Sequence, residues 1–323
     1  MARKCLAILI TSAGRRVGLL QCFRAAAERL DVDLTIIACD LNPDESAACA
    51  LADHAAAVPR CDSPDYATSI LEIVRQHGVS LVIPTIDPEL MPLAQAAPAF
   101  ANLGARVHVS PVNVIEVVRD KRLTIQKLSE AGVPVPRTLD HQELLERPQD
   151  ISWPIFAKPS GGSASRGLDV FETLADVPSE FPEPMIFQDK LNGPEYTINM
   201  FVDASGQLCT VIPHLRIQIR AGEVEKGETR RRNDLQTIAE GIAQALPDLR
   251  GVACFQIIDD PEHGPAVLEI NARFGGGYPL ADHAGAQFAQ WLLEEVAELP
   301  STANNNWRDG VKMMRYDSAV YQG

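Results

Sequence analysis

Between positions 5 and 110 the apolar residues fall into short runs, separated by longer segments whose apolar residues recur at helical spacing. The runs are "CLAILIT", "LTIIACD", "LVIPT" and "RVHVS"; the segments between them are "RRVGLLQCFRAAAERL", "YATSILEIVRQHG" and "PELMPLAQAAPAFANLG". Such alternation predicts βαβ units on a parallel sheet, and hence a Rossmann-like first domain. "NVIEVVRDKRLTIQKLSEAG" predicts one amphipathic helix ending at Gly132. The pattern then changes. "PIFAKPS", "LDVF", "MIFQDKL", "EYTINMFVD" and "QLCTVIPHLRIQI" are short strands with glycine turns, an α+β region with antiparallel pairing. "NDLQTIAEGIAQAL" and "FAQWLLEEVAEL" predict helices, and "VKMMRYDSAVY" a closing strand.

Chemistry concentrates in "GVACFQIIDDPEHGPAVLEINARFGGG", two strands joined through the turn residues "DDPEHGP". Pairing symmetric about that turn sets Gln256 opposite Glu269 and Cys254 opposite Asn271. Residues two apart share a face, so Glu269, Asn271 and Arg273 point the same way. One carboxylate and two amide oxygens suit Mg2+, which takes hard oxygen ligands and completes its octahedron with water and substrate phosphates. Zinc fits badly, because no His or Cys pair has the spacing it needs. The competing reading is a polar strand edge facing solvent. Arg273, beside metal-bound phosphates, can hold a substrate carboxylate or its acyl phosphate by charge-assisted bonds. Gly275, Gly276 and Gly277 offer further backbone donors.

"FAKPSGGSASRGLDV" places Lys158 at a strand end, followed by Ser160, Gly161, Gly162, Ser163, Ser165 and Gly167. Small residues let backbone N–H groups fold over an anion while the lysine supplies a point charge. This is not a Walker A loop, since the lysine precedes the glycines. An ordinary surface loop has the same composition. "TSAGRRVGLL" after the first strand, with Asp40 ending the second, outlines a dinucleotide site, but only Gly14 and Gly18 of the glycine fingerprint are present. A tight β-to-α turn is the simpler reading.

Composition narrows the partners. The 323 residues are 46% hydrophobic and carry a net charge of -14, with both signs spread along the chain. That balance argues against nucleic acid or an anionic membrane surface. The seven cysteines form no C-x-x-C pair and read as reduced. The apolar run in "MARKCLAILITSAG" is too short for a secretory core or a membrane span, so a cytoplasmic protein is expected.

In chain order, "TSAGRRVG", "RDKRLTIQKLSEAGVPVP", "FAKPSGGSASRG", "FQDKLNGPEYTINMF", "GVACFQ" and "LEINARFGGG" resemble the ATP-grasp superfamily, and within it the stand-alone relatives of the carbamoyl-phosphate synthase large subunit. The resemblance implies an α/β Rossmann-like (pre-ATP-grasp) domain over residues 1–112, then an α+β ATP-grasp fold. That fold divides into a small subdomain with a glycine-rich lid over 113–187 and a C-terminal subdomain with the metal site over 188–323. It further implies that Lys121 and Lys158 contact ATP phosphates and that residues 160–167 close over them. Gln188, Asp189, Lys190 and Leu191 would form the adenine hinge, Glu195 would take the ribose hydroxyls, and Gln256, Glu269 and Asn271 would hold Mg2+ or Mn2+.

The implied reaction is ATP-dependent joining of a small-molecule carboxylate to an amine or thiol through an acyl phosphate; a homodimer is the default expectation on general grounds. There is room for one grasp unit, so carbamoyl phosphate synthesis by this chain alone is not expected. A nucleotide-sensing subunit without turnover is the alternative, and an NAD-dependent oxidoreductase a distant third. Four residues stay open. Asp87 and Glu89 in "PTIDPEL" either meet an amine substrate or, for Asp87, cap the next helix. Arg216 faces either the acceptor pocket or solvent. His283 either lines the site or is structural.

Overall fold

The first sheet forms where the apolar runs are longest. In the computed structural model, which describes residues 3–162 and 167–321, this part of the chain comprises β1 (Lys4–Ile10), α1 (Val17–Leu30), β2 (Val32–Asp40), α2 (Ala47–Leu51), β3 (His54–Ala57), α3 (Tyr66–His77), β4 (Leu81–Ile83), α4 (Leu90–Asn102) and β5 (Arg106–Val107). The strands pair in parallel in the order β3-β2-β1-β4-β5. Ile8, Leu9 and Ile10 are fully buried, as expected of a parallel strand covered on both faces. α3 stops at Gly78 in the left-handed conformation, the common glycine cap. β3 and α2 lie in "AACALADHAAA", where alanine gives neither the β-branched bulk of a strand nor a clear periodicity, so the sequence does not announce them.

The single helix expected before Gly132 is two helices. α5 (Val112–Arg119) and α6 (Lys121–Glu130) are separated at Asp120, whose carboxylate accepts the backbone N–H groups of Arg122 (2.8 Å) and Leu123 (3.2 Å). Apolar periodicity continues across the break, and only the N-cap interrupts it. Next come β6 (Thr138–Asp140), α7 (His141–Glu146), β7 (Ile155–Pro159), β8 (Asp169–Phe171) and β9 (Met185–Asp189), a four-stranded antiparallel sheet in the order β6-β9-β7-β8.

A six-stranded antiparallel sheet, ordered β14-β13-β10-β11-β12-β15, completes the molecule. Its strands are β10 (Glu195–Val202), β11 (Leu208–Arg220), β12 (Glu223–Thr229), β13 (Gly251–Asp260), β14 (Gly264–Asn271) and β15 (Lys312–Met314), with α8 (Asn233–Ala245), α9 (Tyr278–Ala284) and α10 (Phe288–Val296) between them. The closing strand is therefore only three residues long. α5, α6 and α8 cover one face of this sheet. Phe274, Tyr278 and Trp291 share a core with α1 and β1, which fixes the last sheet against the first domain. No helix among the described residues is long and apolar enough to cross a membrane.

Candidate active site

β13 and β14 set Gln256 opposite Glu269 and Cys254 opposite Asn271, as expected, but not by symmetry about the turn: Asp260 faces Gly264 there, and a bulge at Leu268 shifts the register by one before Glu269. One correction applies at the end of the row: β14 stops at Asn271, so Arg273 lies beyond the strand. Its backbone turns, with the Arg273 N–H donating to the Asn271 carbonyl at 2.8 Å. The three side chains still form one chain of hydrogen bonds. The Asn271 amide donates to Glu269 at 3.2 Å, Arg273 donates to the Asn271 oxygen at 3.0 Å, and the same Arg273 nitrogen reaches Asp87 at 2.5 Å. Burial alone would lower the Arg273 pKa, but Asp87, Cys254 and Glu269 together more than offset it and the net shift is upward.

Only one carboxylate stands in this donor set. Among the described residues no group of three or more His, Cys, Asp or Glu could hold a metal ion by itself. Glu269 with two amide oxygens would thus supply only part of a shell, of the kind that suits Mg2+ when phosphate oxygens supply the remaining ligands.

Lys158, at the end of β7, faces this acid. It is 6% exposed, and its ammonium donates to the Leu268 carbonyl at 3.3 Å. Burial pushes its pKa down to about 8, partly opposed by Glu269 and reinforced by Lys121. Lys121 opens α6 at the Asp120 break. Its backbone N–H donates to the Ser160 carbonyl at 2.9 Å and its ammonium to the Gly161 and Gly162 carbonyls at 3.1 and 3.2 Å. Ser160 in turn donates to Asp120 at 2.8 Å. A loop that sequence separates from α6 by about 40 residues is therefore tied to the helix N-terminus through both lysine and serine. Gly161 and Gly162 are exposed, and Ser163 and Ser165 lie outside the described residues.

The link from β9 to β10 joins the two antiparallel sheets, and the expected hinge straddles its start: Gln188 and Asp189 end β9, and Lys190 and Leu191 open the link. Gln188 is buried and donates to Thr138 at 2.8 Å, while Asp189 accepts the Ser152 N–H at 2.8 Å. Their side chains are thus committed to the scaffold, and Lys190 is exposed. Glu195 begins β10 and forms an ion pair with Arg216, which also donates to the Gly222 carbonyl at 2.8 Å. Arg216 has a side chain 5% exposed, so it does not face solvent; its two terminal nitrogens brace Glu195 and the Gly222 carbonyl. Burial raises the Glu195 pKa against the pull of that arginine.

The other open residues resolve as follows. Glu89 is fully buried and accepts four hydrogen bonds, from the Thr85 and Ile86 N–H groups (2.6 and 3.0 Å), Ser12 (2.8 Å) and Tyr66 (2.5 Å). A carboxylate so saturated has nothing left for an amine substrate. Asp87 does not cap α4; it holds Arg273. His283 is exposed, its carbonyl accepts from Arg308 at 2.5 Å, and its ring makes no hydrogen bond among the described residues. Asp40 accepts the Gly14 and Leu41 N–H groups at 2.7 and 2.8 Å, so the acid of the outlined dinucleotide site is spent on its own turn.

Gly275, Gly276 and Gly277 permit close approach. A Cβ on Gly276 would lie 2.5 Å from the Glu223 carboxylate, and one on Gly277 would lie 2.8 Å from the buried His214 ring. The Gly276 carbonyl accepts from Arg315. Arg16, Glu223, Arg315, Asn199 and His214 thus join the neighbourhood although nothing in their local sequence singles them out.

Residues 8–108 match the family described as PylC-like, N-terminal domain, and residues 118–277 match the ATP-grasp domain. A formate-dependent phosphoribosylglycinamide formyltransferase from Synechococcus sp. (strain CC9605) is 30% identical over 167 residues, 50% of this chain and 39% of that protein. The chain thus spans well under half the length of that curated relative. Among solved structures, the biotin carboxylase domain of Hydrogenobacter thermophilus 2-oxoglutarate carboxylase, a dimer in complex with MgADP, ADP and bicarbonate, superposes with a TM-score of 0.73 at 15% identity, over 94% of this chain and 73% of that one. N5-carboxyaminoimidazole synthetase from Staphylococcus aureus, complexed with ADP, gives 0.71 at 13% identity, over 94% and 80%. At such identities these two show the shared fold, a parallel-sheet domain followed by antiparallel grasp sheets. The chain thus carries an ATP-grasp domain at residues 118–277, set behind a PylC-like N-terminal domain at residues 8–108.

Proposed function

We propose that the protein is an ATP-dependent ligase that joins a small-molecule carboxylate to an amine, or to a thiol, through an acyl phosphate. The observation that carries this reading is Lys158: a buried, positively charged end of one sheet aimed at the Glu269 edge of another. A buried lysine with no carboxylate in hydrogen-bond contact is costly unless an anion arrives to meet it. The MgADP and ADP complexes of the structural neighbours support a nucleotide as that anion.

In this reading the end of β9 and its link to β10, with Gln188, Asp189, Lys190 and Leu191, receive adenine, and Glu195, braced by Arg216, takes the ribose. Lys121, Lys158 and the loop from Ser160 hold the phosphates. Gln256, Glu269 and Asn271 would hold Mg2+, or Mn2+, which when bound neutralises charge on the transferring phosphoryl group. Arg273, fixed by Asp87 and Asn271, orients the carboxylate whose oxygen attacks the γ-phosphate. ADP leaves, and the amine then displaces phosphate from the acyl phosphate. Little side-chain acid–base work is required, because such transfer is mainly positioning and charge neutralisation. The units 1–112, 113–187 and 188–323 are proposed as its working parts, in a cytoplasmic homodimer.

The narrower kinship with the carbamoyl-phosphate synthase large subunit is not supported by the relatives named above, and it forms no part of the proposal. The rival reading is a nucleotide-binding regulatory subunit. Incubation with Mg·ATP, hydroxylamine and a panel of carboxylates distinguishes the two. ADP release with hydroxamate from at least one carboxylate supports the ligase. ATP binding without ADP release across the panel favours the regulatory subunit.

A further inference from the structure

Glu223 is gripped by two arginines from opposite ends of the chain. Arg16 donates to one of its oxygens at 2.8 Å and Arg315 to the other at 2.9 Å. Arg15 adds its charge to the same carboxylate, and Arg16 lies close enough to Arg273 for the two to repel. Four guanidinium groups therefore gather where Glu223, Asp87 and, through its charge on Arg273, Glu269 are the three carboxylates that answer them. That leaves a local positive excess in a chain whose total charge is -14. Like charges held together are unfavourable unless an anion offsets them.

The place itself favours anions. Arg16 is the N-cap of α1, whose first turn holds no acid, and helix N-termini attract negative charge and disfavour cations. α1 leaves β1, and Arg16 also reaches the Thr85 carbonyl just beyond β4 at 3.5 Å. β1 and β4 are the adjacent central strands from which the sheet runs outward in both directions, the position at which open α/β sheets receive ligands. Glu223 is delivered by the β11–β12 hairpin, where Ala221 and Gly222 take φ values of +51° and +77° as in a type I′ turn. Its side chain is 29% exposed and that of Arg315 31% exposed, so the cluster opens to solvent.

Resting on the ligase reading, we propose that Arg16 and Arg315 are the clamp for a free carboxylate carried by the second, nucleophile-bearing substrate, and that Glu223 occupies this clamp until the substrate displaces it. Each guanidinium donates to a different oxygen of one planar carboxylate, the arrangement that a substrate carboxylate would inherit. Arg273, tied to Asp87 and Asn271, remains for the carboxylate that is activated.

Succinate and inorganic phosphate serve as probes in calorimetric titrations of the full chain without nucleotide. Mg·ATP is titrated separately into the wild type, so a failure of the nucleotide reading shows independently of this one. Glu223→Gln keeps the side chain's shape and removes its charge. Succinate is expected to bind that variant at least about tenfold tighter than the wild type, in line with a charge-assisted pair freed for a new partner. The gain is expected to disappear when Arg16→Gln or Arg315→Gln is added, and to be smaller for phosphate. No gain, a gain that survives loss of either arginine, or a larger gain for phosphate would overturn the assignment. If the Arg16 double variant does not fold, the Arg315 double variant decides.

Discussion

Lys158 donates to the carbonyl of Leu268 at 3.3 Å, and Leu268 is the residue of β14 that has no partner on β13. The bulge there turns a carbonyl out of the ladder and makes it available to the lysine. It also resets the register by one position between the turn and Glu269, and a one-residue slip would move a side chain to the opposite face. A local irregularity thus sets both the direction of the acid and the anchorage of the cation that faces it.

Loss of Lys158 should cost nucleotide affinity before anything else. Lys158→Ala is expected to weaken Mg·ATP binding by about tenfold or more, since a hydrogen bond to a charged group contributes about 1.5–3 kcal/mol. Equilibrium titration checks this; unchanged affinity would remove Lys158 from the phosphate site.

The same lysine gives a pH signature. In the unfolded chain its ammonium persists to its ordinary value of 10.5, whereas burial in the fold brings that value to about 8. Between those limits the unfolded state binds more protons, so the stability of the nucleotide-free protein should rise with pH across that window. Urea midpoints at pH 7.5 and 9.5 test the sign, and Lys158→Ala should abolish the Lys158 contribution. Mg·ATP binding above about pH 8 should take up a proton, visible as a dependence of the binding heat on the buffer.

Glu269→Gln should spare the fold and lower turnover. It keeps the hydrogen bond with Asn271 geometrically possible and removes the carboxylate of the proposed metal shell. The expected outcome is a higher Mg2+ requirement and a fall in kcat of about tenfold or more, read from ADP release over a Mg2+ titration.

Gly193→Ala probes the β9–β10 link. An added Cβ would lie 2.2 Å from the Asp259 backbone carbonyl, and φ is +143°, so neither side-chain movement nor backbone relaxation relieves the overlap. A loss of about 2 kcal/mol or more is expected in a denaturant titration, with nucleotide affinity falling too if this link holds adenine.

What the sequence reveals follows from how far apart the partners lie. Glu269, Asn271 and Gln256 are legible because two strands close about one short turn and side chains alternate with period two. Lys158 is legible as a charge at a strand end before small residues. Arg16 and Arg315 are not, since they reach Glu223 across 207 and 92 residues and sit in segments that read only as a turn and an end strand. Glu89 misleads for the opposite reason. It stands at a strand end where ligands bind, but donors from three other parts of the chain, at Ser12, Tyr66 and Thr85–Ile86, saturate it. At Asp120 the apolar periodicity runs straight through a helix boundary that only a capping contact reveals.

Calorimetric titration of ATP into the wild-type chain, with and without Mg2+ and against NAD as a control, tests the nucleotide site most directly. Single-site binding that tightens with Mg2+, weakens in Lys158→Ala and is not matched by NAD is the predicted result. NAD binding in the absence of Mg·ATP binding, or ATP binding indifferent to both Mg2+ and Lys158, would contradict it.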